Sequence, residues 1–567
     1  MPELERVPPA TTAEWPWFTA SLALSLILLL PMLAYPLGFD QGIMQYLALA
    51  MRRGEWPYTE VWDTSFPGGP LLHLLALVTG GPSALAIRAL DLGWELATCA
   101  ALFVTGNRMA GREAGLYSSM SYAIVYRTGG YYSTAQRDGF LVLPMVLGML
   151  AFWNFLEKGG RSRLLLSAAL LGVVSLIRPT YAMVGVAVAT YLLLREWKVA
   201  SAIRRNLLDA VLFGAAAAAP ILLFFAIYAI SGRFLAIRQL LTADGRIYPL
   251  LEQSRPGDVL LAALRFVPWL MLPGAALTLV PSRTPRHRAA AIFLAAMAFL
   301  CLVIRLWESK DYRYQFWPLI ACMALLAGVG WAGFIDRMTQ HWERPRGRVL
   351  LGAGLMVALL LVQYRITLGR PSGYELLAAL GRPAPSAVED AGTFLGRSAT
   401  QSSVAVYLRE HLAARDRVQL WGPMTGVLVA ARARSATRFI DPFTFFCDAG
   451  GQLKLFDHCP QSAGFPLQRK FRDEIIATLQ AAPPKFIVAH YADGSLAVHE
   501  GPCLAPDLPE LRAILDTEYE RAVTFGNWTV FRRKQEGGGG SGERIRATSG
   551  GSMKWRRPRA EGTSAGI

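Results

Sequence analysis

The sequence predicts an α-helical, polytopic membrane protein with a small soluble α/β domain towards its C-terminal end. Three observations lead there. Of the 567 residues, 53% are hydrophobic and only 17% charged, against roughly 25% charged in an average soluble domain. The apolar residues fall into about eleven runs, each near the ~20 residues that cross a hydrocarbon core as a helix. From residue 401 the pattern changes to short apolar strands and amphipathic helices.

The runs lie near residues 18–35, 84–105, 113–130, 139–156, 163–178, 180–195, 207–230, 258–281, 289–306, 315–335 and 348–366. The first follows Glu3, Glu5 and a single Arg6 and has no small-residue cleavage site after it. It is expected to be a retained helix, because a cleaved signal needs a basic start and a shorter core. The fifth and sixth runs are short and joined at Arg178-Pro179. Alternate connections are short and basic: Arg108 and Arg112, Lys158 to Arg163, Arg195 to Arg205, Arg283 to Arg288, and Arg337 to Arg348. These read as cytoplasmic in an inner, cell membrane, and the remaining loops and the C-terminal part as extracytoplasmic.

The first outer loop, residues 36–83, is unlike the others. It sets Asp40 and Asp63 just outside the bilayer, on either side of a segment, Gln41 to Arg53, with apolar residues at helical spacing. A Trp/Pro/Gly-rich turn that cannot be a regular helix follows. Residues 367–400 are a Pro/Gly/Ser-rich linker. In 401–534, helix VAVYLREHL precedes strand VQLWG and then TRFI, and helix LQRKFRDEIIATLQ precedes strand KFIVAHY. ERAVTFGNWTVFRR reads as a closing hairpin turning at Gly526-Asn527. Residues 535–567 are basic, of low complexity, and expected to be disordered. Cys99, Cys301 and Cys322 fall in apolar runs as packing residues, whereas Cys447 and Cys459 are a candidate disulfide that leaves Cys503 over. No metal-ligand spacing stands out; the triplet Asp457-His458-Cys459 is a weak one.

The formal charge of +16 would suit nucleic acid, but the basic residues cluster between apolar runs and in the tail. Topology and anionic lipid explain that arrangement, so no nucleic-acid partner is expected. Three acids, Asp40, Asp63 and Asp138, sit at helix ends on the outer side beside aromatic and Gly/Pro turns. Alone, each would be a solvated loop acid or a helix cap. Together they suit glycosyl transfer with inversion, which needs a carboxylate base on the acceptor hydroxyl and cations on the departing phosphate. The phosphate candidates are Arg137, Arg178, Arg246, Arg255, Lys310 and Arg313. No phosphate-binding glycine loop is present, so no nucleotide is expected on that face. Arg88, Asp91 and Glu95 share one face of the second helix, and mutual pairing is the plainer reading of them. They also leave standing the alternative of a transporter or lipid flippase without covalent chemistry.

Several stretches resemble the GT-C superfamily of integral-membrane glycosyltransferases, particularly bacterial relatives of the dolichyl-phosphate-mannose protein mannosyltransferases and of the lipid A aminoarabinose transferase. They are GFDQG, AMRRGEWPYTEVWD running into FPGGPLLH, STAQRDGFLVLP, SLIRPTY and DYRYQFWPLIACMALLAG, with VAVYLREHLAARDRVQLWGP, TRFI and APPKFIVAHY beyond the membrane part. The resemblance implies that residues 1–366 are the catalytic membrane domain and that Asp40 is the catalytic carboxylate. It implies further that Asp138 is the second acid near the donor, and that Arg313 and Tyr314 face the lipid phosphate. The donor would be a polyprenyl-phosphate sugar, the acceptor a glycan, lipid or protein, and a divalent cation is compatible with the scheme. One departure stands out: the turn DTSFPGGP holds no lysine where related enzymes carry one. Arg137, Arg178 and His73 are the candidates for its work, His73 with the competing reading of a helix-start histidine satisfied by its neighbours.

Overall fold

The computed structural model describes residues 15–35, 37–196, 198–247, 254–280, 285–339, 345–368, 402–422, 424–441, 445–448, 453–455, 465–490, 508–526 and 528–534. The linker, the tail and the Asp457-His458-Cys459 triplet lie outside the described residues, as do Cys459 and Cys503 and hence the candidate disulfide.

Each of the eleven apolar runs is helical. The membrane part comprises α1 (Trp15–Leu29), α2 (Phe39–Arg52), α3 (Gly68–Gly80), α4 (Ala84–Ala110), α5 (Arg112–Arg127), α6 (Gly130–Ser133), α7 (Arg137–Phe140), α8 (Val142–Lys158) and α9 (Arg161–Ile177). It continues with α10 (Ala182–Leu194), α11 (Ala200–Ile230), α12 (Phe234–Arg246), α13 (Pro256–Phe266), α14 (Met271–Leu277), α15 (Pro285–Glu308), α16 (Trp317–Thr339) and α17 (Pro345–Leu368). Among the described residues five helices are long and apolar enough to cross a membrane, or up to seven when two bent pairs count as one span each. In the first pair α3 turns into α4 through 112°, and in the second α13 turns into α14 through 93°. The chain is a multi-pass membrane protein.

Two features depart from the linear reading. The apolar stretch after Pro67, expected to be loop, is α3, and Ser83 caps the start of α4 by accepting from the Ala86 amide at 3.2 Å. The run 258–281 is not one helix but the α13/α14 pair, broken around Pro268, which cannot donate within a helix.

The centre of the bundle is α5, where every residue from Ala114 to Arg127 is buried. A helix enclosed by protein on all sides can carry hydroxyls, and these join its neighbours. Ser21 donates to Ser119 at 3.0 Å, and Ser118 donates to the carbonyls of Ala114 at 2.6 Å and Ala324 at 3.2 Å. Small residues permit close approach elsewhere: a Cβ on Gly330 of α16 would lie 1.8 Å from the Gly274 carbonyl of α14.

The basic connections gather at one end of the bundle. Arg286 donates to the Arg108 carbonyl and pairs with Glu157, each at 2.6 Å, and Asp209 pairs with Arg195 and with Arg161. The loops bearing the three acids meet at the other end, beneath the soluble domain. That domain is a five-stranded sheet in the order β2-β1-β5-β7-β6, with β1 (Arg417–Trp421), β2 (Arg434–Ser435) and β5 (Phe486–His490) parallel. β6 (Tyr519–Phe525) and β7 (Trp528–Arg533) form the expected hairpin. A separate pair, β3 (Phe446–Asp448) and β4 (Leu453–Leu455), is antiparallel. TRFI does not extend the ladder: β2 stops at Ser435, and Phe439 instead bridges to Trp62 of the first loop.

Candidate active site

The acid-bearing loops converge through named hydrogen bonds. Asp40 stands in the first turn of α2, where a carboxylate is favoured by the helix dipole. Gln41, next to it, donates to the carbonyls of Tyr131 at 3.1 Å, Tyr132 at 3.2 Å and Thr134 at 2.7 Å. This ties the start of α2 to the bend that leads into α7. From the other side Arg88 donates to Thr134 Oγ1 and to the Tyr131 carbonyl, each at 2.8 Å, and Trp317 donates to the Ser133 carbonyl at 2.8 Å. The bend includes Ala135 with φ of +54°, a left-handed conformation that a side chain seldom adopts without outside support.

The bend delivers Gln136, Arg137 and Asp138 to the site. Asp40 is half-buried and faces the Arg137 guanidinium, the Tyr314 hydroxyl, the Gln136 side chain and Asp63. Burial pushes its carboxyl up from the ordinary aspartate range, and Arg137 acts against that shift. Asp63 is buried and likewise raised by burial; its Oδ1 accepts from the Ser65 amide at 2.7 Å. Arg137 stands among these acids, 3.9 Å from Asp138 and 3.5 Å from the Ser65 hydroxyl.

Beneath this pair runs a chain of buried charges. Arg178, at the break between α9 and α10, donates through Nη1 to both oxygens of Asp138, at 2.7 and 2.6 Å. Its Nε donates to Glu308 at 2.9 Å and its Nη2 also reaches Glu308, which Arg305 and the Thr180 hydroxyl engage as well. Arg313 donates to the Thr128 hydroxyl at 2.5 Å and lies over the Phe266 ring, Lys310 is buried, and Tyr314 stacks on Tyr312 at 5.7 Å.

The structure thus brings together Asp40, Asp63, Arg137, Asp138, Arg178 and Tyr314, with Arg313 and Lys310 on the adjoining turn. It does not bring Arg246, which is exposed at the end of α12. The buried face of that helix packs under the soluble domain, and among the described residues no ion pair joins Arg246 to the cluster. His73 is buried edge-on against Phe140 at 6.4 Å, away from the carboxylate pair. Arg305 and Glu308 were missed by the sequence reading. Their signal was an ion pair three residues apart closing a helix that is apolar from Ala289 to Ile304, where each charge costs several kcal/mol unless paired. Among the described residues no three His, Cys, Asp or Glu side chains are grouped to hold a metal.

Arg88 and Asp91 both serve the bend. Asp91 accepts from the Tyr126 hydroxyl at 2.8 Å, and that hydroxyl accepts from the Ala135 amide at 3.2 Å. Tyr126→Phe therefore leaves a buried carboxylate oxygen and a strained amide without this partner. It is expected to lower stability by about 1–3 kcal/mol, read from thermal unfolding in detergent; an unchanged melting temperature would count against this role.

Comparison with known proteins bears on the same region. The sequence profile of the dolichyl-phosphate-mannose-protein mannosyltransferase family matches residues 67–228, from the turn before α3 through most of α11. No curated protein sequence matches the chain. Among solved structures, ArnT from Cupriavidus metallidurans bound to undecaprenyl phosphate superposes with a TM-score of 0.59 at 12% identity, over 91% of this chain and 98% of that one. The chain has the fold of that protein. Archaeal oligosaccharyltransferase AglB from Archaeoglobus fulgidus, in complex with an inhibitory peptide and a dolichol-phosphate, gives 0.50 at 11% identity, over 93% of this chain and 75% of that one. Both superpositions span the membrane helices and the soluble domain, so the likeness in fold extends well past the profile match.

Proposed function

We propose that the chain is a membrane glycosyltransferase that moves a sugar from a polyprenyl-phosphate donor to an acceptor on the outer face, with inversion at the anomeric carbon. The observation that carries this reading is the half-buried Asp40 carboxylate beside Arg137, at the end of the bundle where the acid-bearing loops converge. Asp40 takes the proton of the acceptor hydroxyl as its oxygen attacks the anomeric carbon. The bond from that carbon to the phosphate oxygen breaks, and Arg137, Arg313 and Lys310 meet the charge that grows on the phosphate. Asp138, expected from the sequence to share the catalysis, has both oxygens engaged by Arg178 and acts in this reading by orienting Arg137. The undecaprenyl phosphate bound to ArnT and the dolichol-phosphate bound to AglB support a lipid-phosphate donor.

The test is incubation of purified protein with labelled polyprenyl-phosphate sugars and a membrane extract. Label is expected to move into an acceptor with its anomeric configuration inverted; retention of configuration, or no consumption of any donor, contradicts the reading. The pH dependence supplies a second test. A general base must be ionised, so activity is present above the raised pKa of Asp40 and lost as pH falls through it. Since Arg137 holds that pKa down against burial, Arg137→Gln should move the acid limb of kcat/KM to higher pH. A limb that stays put or moves down would detach Arg137 from Asp40.

A further inference from the structure

Open α/β sheets receive ligands in the crevice outside the carboxyl ends of their parallel strands. In the soluble domain that position is taken by the chain's own first outer loop. Gly42 of α2 abuts Thr425 and Gly426, just past β1, so closely that a Cβ there would lie 2.7 Å from the Gly426 amide nitrogen. One turn along, Tyr46 accepts a hydrogen bond from the Ser435 amide of β2 at 2.7 Å. Beyond β2, the Trp62 amide donates to the Arg438 carbonyl at 2.7 Å, which pairs Trp62 with Phe439 as two parallel strands pair.

Arg438 fastens the same junction with its side chain. Its Nη1 donates to the Tyr58 carbonyl at 3.0 Å, and its guanidinium lies over the rings of Trp62 at 5.1 Å, Phe439 at 4.9 Å and Phe471 at 5.1 Å. A two-pronged bond to Glu474, at 2.6 and 2.8 Å, holds it in that pose. Trp62 is fully buried and packs on Phe471 at 4.7 Å between centroids. These are large apolar and charge-assisted contacts, and they link loop to domain across nearly four hundred residues of chain.

We infer that the ligand of the C-terminal domain is this loop, and that the domain is a clamp for the two carboxylates with Arg438 as a positioning residue. Asp40 stands two residues before Gly42, and Asp63 directly follows Trp62, so both acids are carried by segments whose backbone the domain fixes. The inference rests on the proposed function for its catalytic part, but the docking itself does not. An error of about 1 Å in such a site costs about 10²-fold in rate, which sets the effect expected when the clamp is loosened.

A site-specific protease sequence inserted within residues 370–400 lets the connection between the two parts be cut in the purified full-length protein. In the wild type the domain is expected to co-elute with the membrane part after cutting, and transfer to continue. With Gly42→Val, which wedges the junction from the loop side and leaves the domain's own residues untouched, the cut domain should separate. The same is expected of Arg438→Ala, and Arg438→Lys, which keeps the charge without the fork, should recover part of the retention. Uncut, Gly42→Val and Arg438→Ala should lose about 10²-fold in kcat while the donor KM is kept. A wild-type domain that separates on cutting, retention in every variant, or an unchanged transfer rate once the domain has left overturns the proposal. If the intact wild type transfers no sugar, the functional reading fails by itself, and co-elution still decides whether the loop is what the domain holds.

Discussion

Arg178→Leu is expected to destabilise the protein by about 3–5 kcal/mol, the usual consequence of leaving a buried charge without its partner. Arg178 stands between two buried carboxylates, Asp138 and Glu308, and its own side chain is only 4% exposed. Removing the guanidinium leaves Asp138 facing Arg137 at 3.9 Å, and hands Glu308 to Arg305 and Thr180. It also unties α7, the end of α9 and the end of α15, which these groups join, so transfer should be lost with stability. Thermal unfolding in detergent measures the first effect. Arg178→Lys separates charge from geometry, because an ammonium cannot bridge two carboxylates as a planar fork does; it should fall between wild type and Leu. A melting temperature for Arg178→Leu equal to that of wild type would mean that the two acids are satisfied elsewhere and that this chain of charges does not hold the site.

Asp40→Asn is expected to slow transfer by about 10²- to 10⁴-fold, the contribution of a positioned general base. The amide keeps the shape of the carboxylate and can still accept from Tyr314, but it cannot take a proton. Donor binding should survive, since the groups assigned to the phosphate are cations on α7 and on the turn before α16. The acid limb of the wild-type pH profile should lie above the ordinary aspartate value of 3.8, because burial raises this carboxyl. Asp63→Asn is a useful contrast. Its Oδ1 accepts from the Ser65 amide, a bond an asparagine oxygen can also make, so its loss should be much smaller.

Much of the fold could be read in the linear sequence because its signal is local. Long apolar runs with basic ends mark helices in any lipid-exposed chain, and all eleven are helical. What could not be read depends on partners distant in sequence. LLHLLALVTG is helix α3, yet its Gly/Pro-rich approach at FPGGP reads as turn. TRFI has the β-branched and aromatic content of a strand, but its neighbour is Trp62, in the other half of the chain, and no periodicity reports that. Among site residues, Asp40 and Asp138 were legible as acids in the first turn of helices, and their convergence was not. Arg246 shows the same limit from the other side: a basic residue in an outer loop is a fair phosphate candidate until α12 is seen to turn its buried face to the soluble domain.

The role proposed for Asp40 is removal of the acceptor's proton. Single-turnover transfer from a pre-bound, labelled polyprenyl-phosphate sugar, run side by side on wild type and Asp40→Asn at a pH where both are folded, tests it most directly. Equal donor occupancy, a rate lower by about 10²-fold or more in the variant, and an inverted product in the wild type are expected. Equal rates at equal occupancy would contradict it and would move the search for the base to another carboxylate of the cluster.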